Sequence, residues 1–183
     1  MAHCAEAVRY RYALSAALIL SVVVGSAAGA ARTRLVISGA FPTSSARAMV
    51  GTGEGCGYRS TRTLIYQSAA MRIGRGPAVA RVSFRIVHYR GRRRYGAKAP
   101  APYGRTAVQV VTGRNATTGV ASGFYIATSG SVNVLQAKNV GRTGHAATVS
   151  GTVHAKLRLQ RGTKRLRLDG SWACRIPPEA NGD

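Results

Sequence analysis

Acidic side chains are scarce in this chain of 183 residues: 5 Asp and Glu stand against 27 Lys and Arg, a formal net charge of +22. Beyond residue 30 the carboxylates are Glu54, Asp169, Glu179 and Asp183. A glycosidase-like acid pair would have to come from these, and nothing in the sequence brings Glu54 near Asp169. Cysteine is equally sparse, with Cys4, Cys56 and Cys174. Two cysteines beyond residue 30 and three scattered histidines (His88, His145, His154) lack metal-ligand spacing, so neither a metal nor a cofactor is expected. Gly51–Gly57 is glycine-rich, but it has no GK[ST] ending and no helix after it. It reads as a flexible lead-in to Cys56 rather than a phosphate loop. No capped amphipathic helix pattern and no internal repeat are visible, which argues against alternating strand–helix folds.

One long apolar run is present. Arg9 and Arg11 precede the uncharged stretch 13–24, and Ala28 and Ala30 then form the small-x-small pattern of a signal-peptidase site. The stretch falls short of the ~20 residues a membrane span needs. Residues 1–30 are therefore expected to be a secretory signal helix cleaved after Ala30, with an uncleaved anchor as the alternative. No twin arginine precedes the run, and Cys4 lies on the wrong side of it for lipid attachment. Location is expected to be secreted or cell envelope.

Losing Arg9, Arg11 and Glu6 with that segment changes the charge from +22 to +21. Apart from Lys98, Lys138, Lys156 and Lys164, the remaining cations are arginine. Arginine forks suit phosphate, sulfate and carboxylate, and such an imbalance favours polyanion partners. A GC-rich genome, which enriches Arg, Ala and Gly together, is the bland explanation for the same composition. In an oxidising compartment Cys56 and Cys174 read as one disulfide.

Period-two runs of Val, Thr, Ile, Tyr and Phe between glycine-rich breaks predict strands at 33–38, 62–68, 78–89, 106–112, 119–127, 131–136, 147–159 and 164–175. The fold class is all-β, an antiparallel β-sandwich or flattened β-barrel over residues 31–176, with a frayed tail at 177–183 after Pro177-Pro178. In 78–89, Val82, Phe84 and Ile86 face inward, opposite Arg81, Ser83 and Arg85. In the last hairpin, a turn centred on Arg161-Gly162 pairs Leu157 with Leu166 and Ala155 with Leu168. It also pairs Val149 with Cys174 and sets Trp172 over Gly151.

That register puts Lys156 opposite Arg167 and Arg158 opposite Arg165 on the outer face. Arg90, Arg92, Arg93 and Arg94 are expected in a long exposed loop. The two groups together are the candidate site for an anionic envelope polymer or lipid. A solvated, salt-screened charged face is the plainer alternative. Tyr89, Tyr95 and Tyr103 interleave with arginines as stacking platforms do, but no recognition motif accompanies them and no specific nucleic-acid partner is expected. His154 falls opposite Asp169, near Thr152 and Ser171. A flat strand face offers no pocket or oxyanion hole, so no catalytic residue is assigned. Asn115-Ala116-Thr117 fits a glycosylation acceptor, relevant only in a eukaryotic secretory pathway.

The segments Val82-Ser83-Phe84-Arg85-Ile86, Tyr89-Arg90-Gly91 and Tyr95, then Gly130-Ser131-Val132-Asn133-Val134, Val149-Ser150-Gly151-Thr152-Val153 and Asp169-Gly170-Ser171-Trp172-Ala173-Cys174, carry a resemblance. Over roughly residues 55–175 the chain resembles exported β-rich proteins and lipoproteins of GC-rich actinobacteria, which end in a similar Gly-Ser-Trp-x-Cys strand. It departs from them in lacking a lipobox cysteine and in being more basic. The resemblance implies an envelope or extracellular β-domain and brings no catalytic residues. The leading functional expectation is a non-enzymatic binding domain. A hydrophobic-ligand carrier with a cavity between sheets is the first alternative, and a hydrolase with an unrecognised site the second.

Overall fold

The computed structural model describes residues 33–39, 55–59, 61–68, 70–73, 78–98, 106–113 and 121–182. The expected signal with Ala28 and Ala30, the glycine-rich segment 51–54, Tyr103 and the 115–117 acceptor lie outside the described residues.

Ten strands follow in order: β1 (Arg34–Gly39), β2 (Gly55–Arg59), β3 (Thr63–Gln67), β4 (Met71–Arg72), β5 (Val79–Ile86), β6 (Arg94–Gly96), β7 (Ala107–Gly113), β8 (Ala121–Lys138), β9 (Ala147–Leu159) and β10 (Arg165–Ile176). All neighbours pair antiparallel in one sheet, ordered β1-β10-β9-β8-β7-β5-β3-β2, with β4 also on β5 and β6 on β8. The all-β expectation stands, but not as two sheets. The hydrogen-bond path is continuous, and among the described residues β1 and β2 do not pair to close it.

A single sheet can cover one core only by curling. Tyr66 on β3 and Phe84 on β5 stack with ring centroids 4.6 Å apart, and Phe84 meets Trp172 of distant β10 edge-on at 4.9 Å. These rings, with Leu64, Val82, Val108, Val132, Leu157 and Leu168, form one buried cluster. The Cys56–Cys174 disulfide, closing 118 residues, ties β2 to β10 across the same fold. It is the pairing expected from the sequence.

The β9–β10 register agrees with the expected one at every named pair, including Leu157 with Leu166, Gly151 with Trp172 and Cys174 with Val149. In β5, Val82, Phe84 and Ile86 are buried as expected. The stretches 119–127 and 131–136, expected as two strands, are instead parts of the single strand β8. Its Thr128-Ser129-Gly130 segment has turn-like composition but makes a bulge between Ala127 and Ser129. At Gly130 φ is +146°, and a Cβ there would lie 2.2 Å from the His154 carbonyl oxygen. The bulge and the glycine bend the strand without breaking its pairing to β9.

Two further expectations need correction. The 90–104 segment is not wholly loop: Arg94–Gly96 pairs with β8, and the buried Tyr95 hydroxyl donates to the Gly91 carbonyl while accepting from the Arg90 N–H. The tail is not frayed through residue 182. Pro178–Ala180 forms a 3₁₀ turn, and Asn181, 1% exposed, docks on the β8–β9 turn. Its Nδ2 donates to the carbonyls of Asn139, Arg142 and His145, and its Oδ1 accepts from the Gly141 N–H. A polar side chain that satisfies several backbone groups at once holds the tail after the strand ends.

Candidate anion-binding face

Period-two alternation puts every second side chain of β8, β9, β10 and β1 on the outward face, in rows about 6–7 Å apart along the strands. Arg158 lies opposite Arg165, and Lys156 opposite Arg167. All four are exposed. They line an open cleft of about 620 Å³ together with Ser38 and Gly39 of β1, Thr128 at the β8 bulge and the inward Leu157 and Leu166. The bulge thus shapes one wall of the cleft, a contribution that period-two reading does not supply.

Moving along the strands, the next row holds His154 and Asp169, and the row after it runs Arg94, Asn133, Thr152, Ser171 and Arg34. Lys138, Thr148 and Arg175 form another row near the far end. The sheet therefore brings Arg94 onto the face that carries Lys156, Arg158, Arg165 and Arg167. Arg90, Arg92 and Arg93 stay on the loop entering β6, where the Arg93 guanidinium sits 5.9 Å from the Tyr95 ring centroid. Arg34 and Arg175 complete the face. Their outward positions were available from strand alternation, but they stand apart from the arginine clusters that draw the eye.

Among the described residues the acids are Asp169 and Glu179. Asp169 sits within the basic face. Its Oδ1 lies 2.8 Å from His154 Nδ1, and its Oδ2 accepts from Arg167 Nε at 2.6 Å. Burial pushes the Asp169 carboxyl up, but hydrogen bonds from Arg167 and His154 outweigh this and hold it below the usual carboxylate range. The cleft-lining residues do not include His154 or Asp169, and the Thr152 hydroxyl accepts a hydrogen bond from Asn133. His154, Asp169 and Arg167 form an ion-pair network on the open strand face.

Tyr89 and Tyr95 are 7% and 8% exposed and stack on each other at 5.9 Å, so neither presents a face for a nucleobase. Burial, with Tyr95 and Tyr58 close by, pushes the Tyr89 hydroxyl up to about 12. Tyr66, Phe84 and Trp172 fill the interior at their own level with ring contacts. Among the described residues no group of three metal-ligating side chains occurs, and no helix is long and apolar enough to cross a membrane. No family model, no curated protein and no solved structure matches this chain.

Proposed function

We propose that this protein is an exported, non-enzymatic β-domain of the cell envelope or extracellular space that binds an anionic polymer or lipid through its outward arginine face. The observation that carries the reading is the pair of opposed cation rows, Lys156 with Arg167 and Arg158 with Arg165, lining one open cleft. Like charges directly opposed across strands destabilise a sheet. A bound polyanion removes that repulsion and gains charge-assisted hydrogen bonds to the guanidinium forks. Asp169 neutralises part of Arg167 but leaves Arg158 and Arg165 without a carboxylate partner among the described residues.

The disulfide is compatible with an extracytoplasmic compartment, and the signal-like residues 1–30 supply the route. The fold within that compartment is read as a flattened, barrel-like curl of one sheet, pinned by Cys56–Cys174. The test is retention on heparin and on immobilised polyphosphate. Charge reversal at Lys156, Arg158, Arg165 and Arg167 should lower the salt needed for elution. Unchanged retention would remove the proposal.

A further inference from the structure

The basic face is not uniformly polar. Phe124 on β8, 52% exposed, is one of the few large apolar side chains that the described surface shows to solvent. It lies directly opposite Val111, and one row along, the outward Ile126 lies opposite Arg158. Val111, Phe124 and Ile126 thus form an apolar island in the plane of the sheet. Arg81 pairs with Val111 on one flank, and Arg158 with Arg165 on the other. The Gln160 N–H donates to the Phe124 carbonyl at 2.8 Å, which ties the β9–β10 turn, with exposed Arg161 and Lys164, to the β8 backbone at this end of the sheet.

We infer that this end of the sheet is a bilayer-docking surface, in which Phe124 and Ile126 enter the interface of an anionic membrane while the surrounding guanidinium and ammonium groups hold lipid phosphates. The inference rests on the polyanion reading and narrows its target to a lipid surface. A soluble polyanion can use the cations but gains nothing from an exposed phenyl ring. A bilayer rewards both, because the interface takes up apolar side chains and its negative potential attracts cations. Charge complementarity also decides against a second copy of this chain as the occupant. Copies meeting through this island would bring Arg81, Arg158 and Arg165 against like charges, with Asp169 and Glu179 as the described carboxylates and neither of them in the island.

The experiment compares the wild-type protein with Phe124→Ser and with Arg158→Glu/Arg165→Glu. Binding is measured to phosphatidylglycerol vesicles, to phosphatidylcholine vesicles and to soluble polyphosphate at near-physiological salt. All three proteins carry the same residues 1–30, so differences between them report only the altered positions. F124S should bind phosphatidylglycerol vesicles about tenfold more weakly, as expected for losing roughly half a buried phenylalanine, and polyphosphate unchanged. The double reversal should lose both ligands, and the phosphatidylcholine arm should stay weak throughout. As a second readout, Phe124→Trp should keep vesicle binding and be quenched by bromine-labelled acyl chains.

Equal vesicle affinity of F124S and wild type, an unquenched F124W, or wild-type binding to polyphosphate without binding to phosphatidylglycerol vesicles overturns the docking inference and leaves the polyanion reading in place. A concentration-dependent dimer that F124S abolishes overturns it in favour of self-association. Wild type that binds neither polyphosphate nor anionic vesicles overturns both readings.

Discussion

Arg158 on β9 and Arg165 on β10 are direct cross-strand partners on an outward face, flanked along the strands by the equally opposed Lys156 and Arg167. Opposed cations cost stability, by a few tenths to about 1 kcal/mol per pair at low salt. Arg165→Thr should therefore raise the midpoint of thermal unfolding while weakening polyanion retention, and added salt should shrink both differences. Parallel calorimetry and heparin elution at two ionic strengths check this. A destabilised R165T would mean that the arginines support the fold rather than burden it.

The disulfide joins two strands that are not neighbours in the sheet. Replacing Cys56 and Cys174 together by alanine should cost up to about 4–5 kcal/mol, the chain-entropy value for closing a loop of this size, read from denaturant unfolding of the oxidised and doubly substituted proteins. Mass mapping without reductant should recover one peptide pair that contains both cysteines.

Much of this arrangement is legible in the residues alone. The β9–β10 register follows from two period-two patterns that agree only when Leu157 meets Leu166 and Trp172 meets Gly151. What period two does not show is departure from period two. The bulge at Ala127–Ser129 makes one long strand look like two. Gly55-Cys56-Gly57 reads as flexible but is held as strand β2 by pairing with β3. Arg94-Tyr95-Gly96 reads as loop because strand pattern needs more than three residues, whereas Tyr95 is buried by tertiary packing. Pro177-Pro178 ends β10 as expected, but the docking of Asn181 depends on a turn roughly 40 residues upstream, which no local signal announces.

Gly151 is the position where a side chain is least tolerable. An added Cβ would fall 1.8 Å from the Asn133 carbonyl oxygen, so the register partner of Trp172 is a glycine that the backbone of β8 requires. Gly151→Ala should cost at least about 2 kcal/mol, since the strands must separate to admit it. Chemical denaturation measures the loss, and an unchanged midpoint would show that β8 does not approach Gly151 closely enough to exclude a methyl group.

Asn181→Ala should cost about 1–3 kcal/mol by leaving carbonyls of the β8–β9 turn without their donor. Hydrogen exchange should then quicken at the Gly141 amide, which Asn181 protects directly, and at Gly182, whose N–H donates to the Tyr58 carbonyl.

Alkaline pH should expose the buried tyrosine. The Tyr89 hydroxyl is raised from 10.0 to about 12 in the folded protein. A raised value means that the folded state holds its proton more tightly than the unfolded chain. This contribution is complete below pH ~10, the unfolded tyrosine value, and is lost as pH rises from there through about 12. A late component of tyrosinate absorbance should appear in that window and shrink in Tyr89→Phe, what is left of it belonging to Tyr95 and Tyr125, which burial also pushes up. At the acidic end, the Asp169 value is depressed, so its contribution is present above the ordinary aspartate value of ~3.9 and fades as pH falls below it.

Under the proposed function, the β9–β10 face binds polyanion, and arginine content in general does not. The most direct measurement is the affinity for polyphosphate as a function of salt, comparing Arg158→Glu/Arg165→Glu on the face with Arg92→Glu/Arg93→Glu on the loop, two variants of identical net charge. The face variant should lose most of its affinity and show a shallower salt dependence, while the loop variant should stay closer to wild type. Equal losses in the two variants would contradict that function, because binding would then follow net charge and not the opposed rows of the sheet.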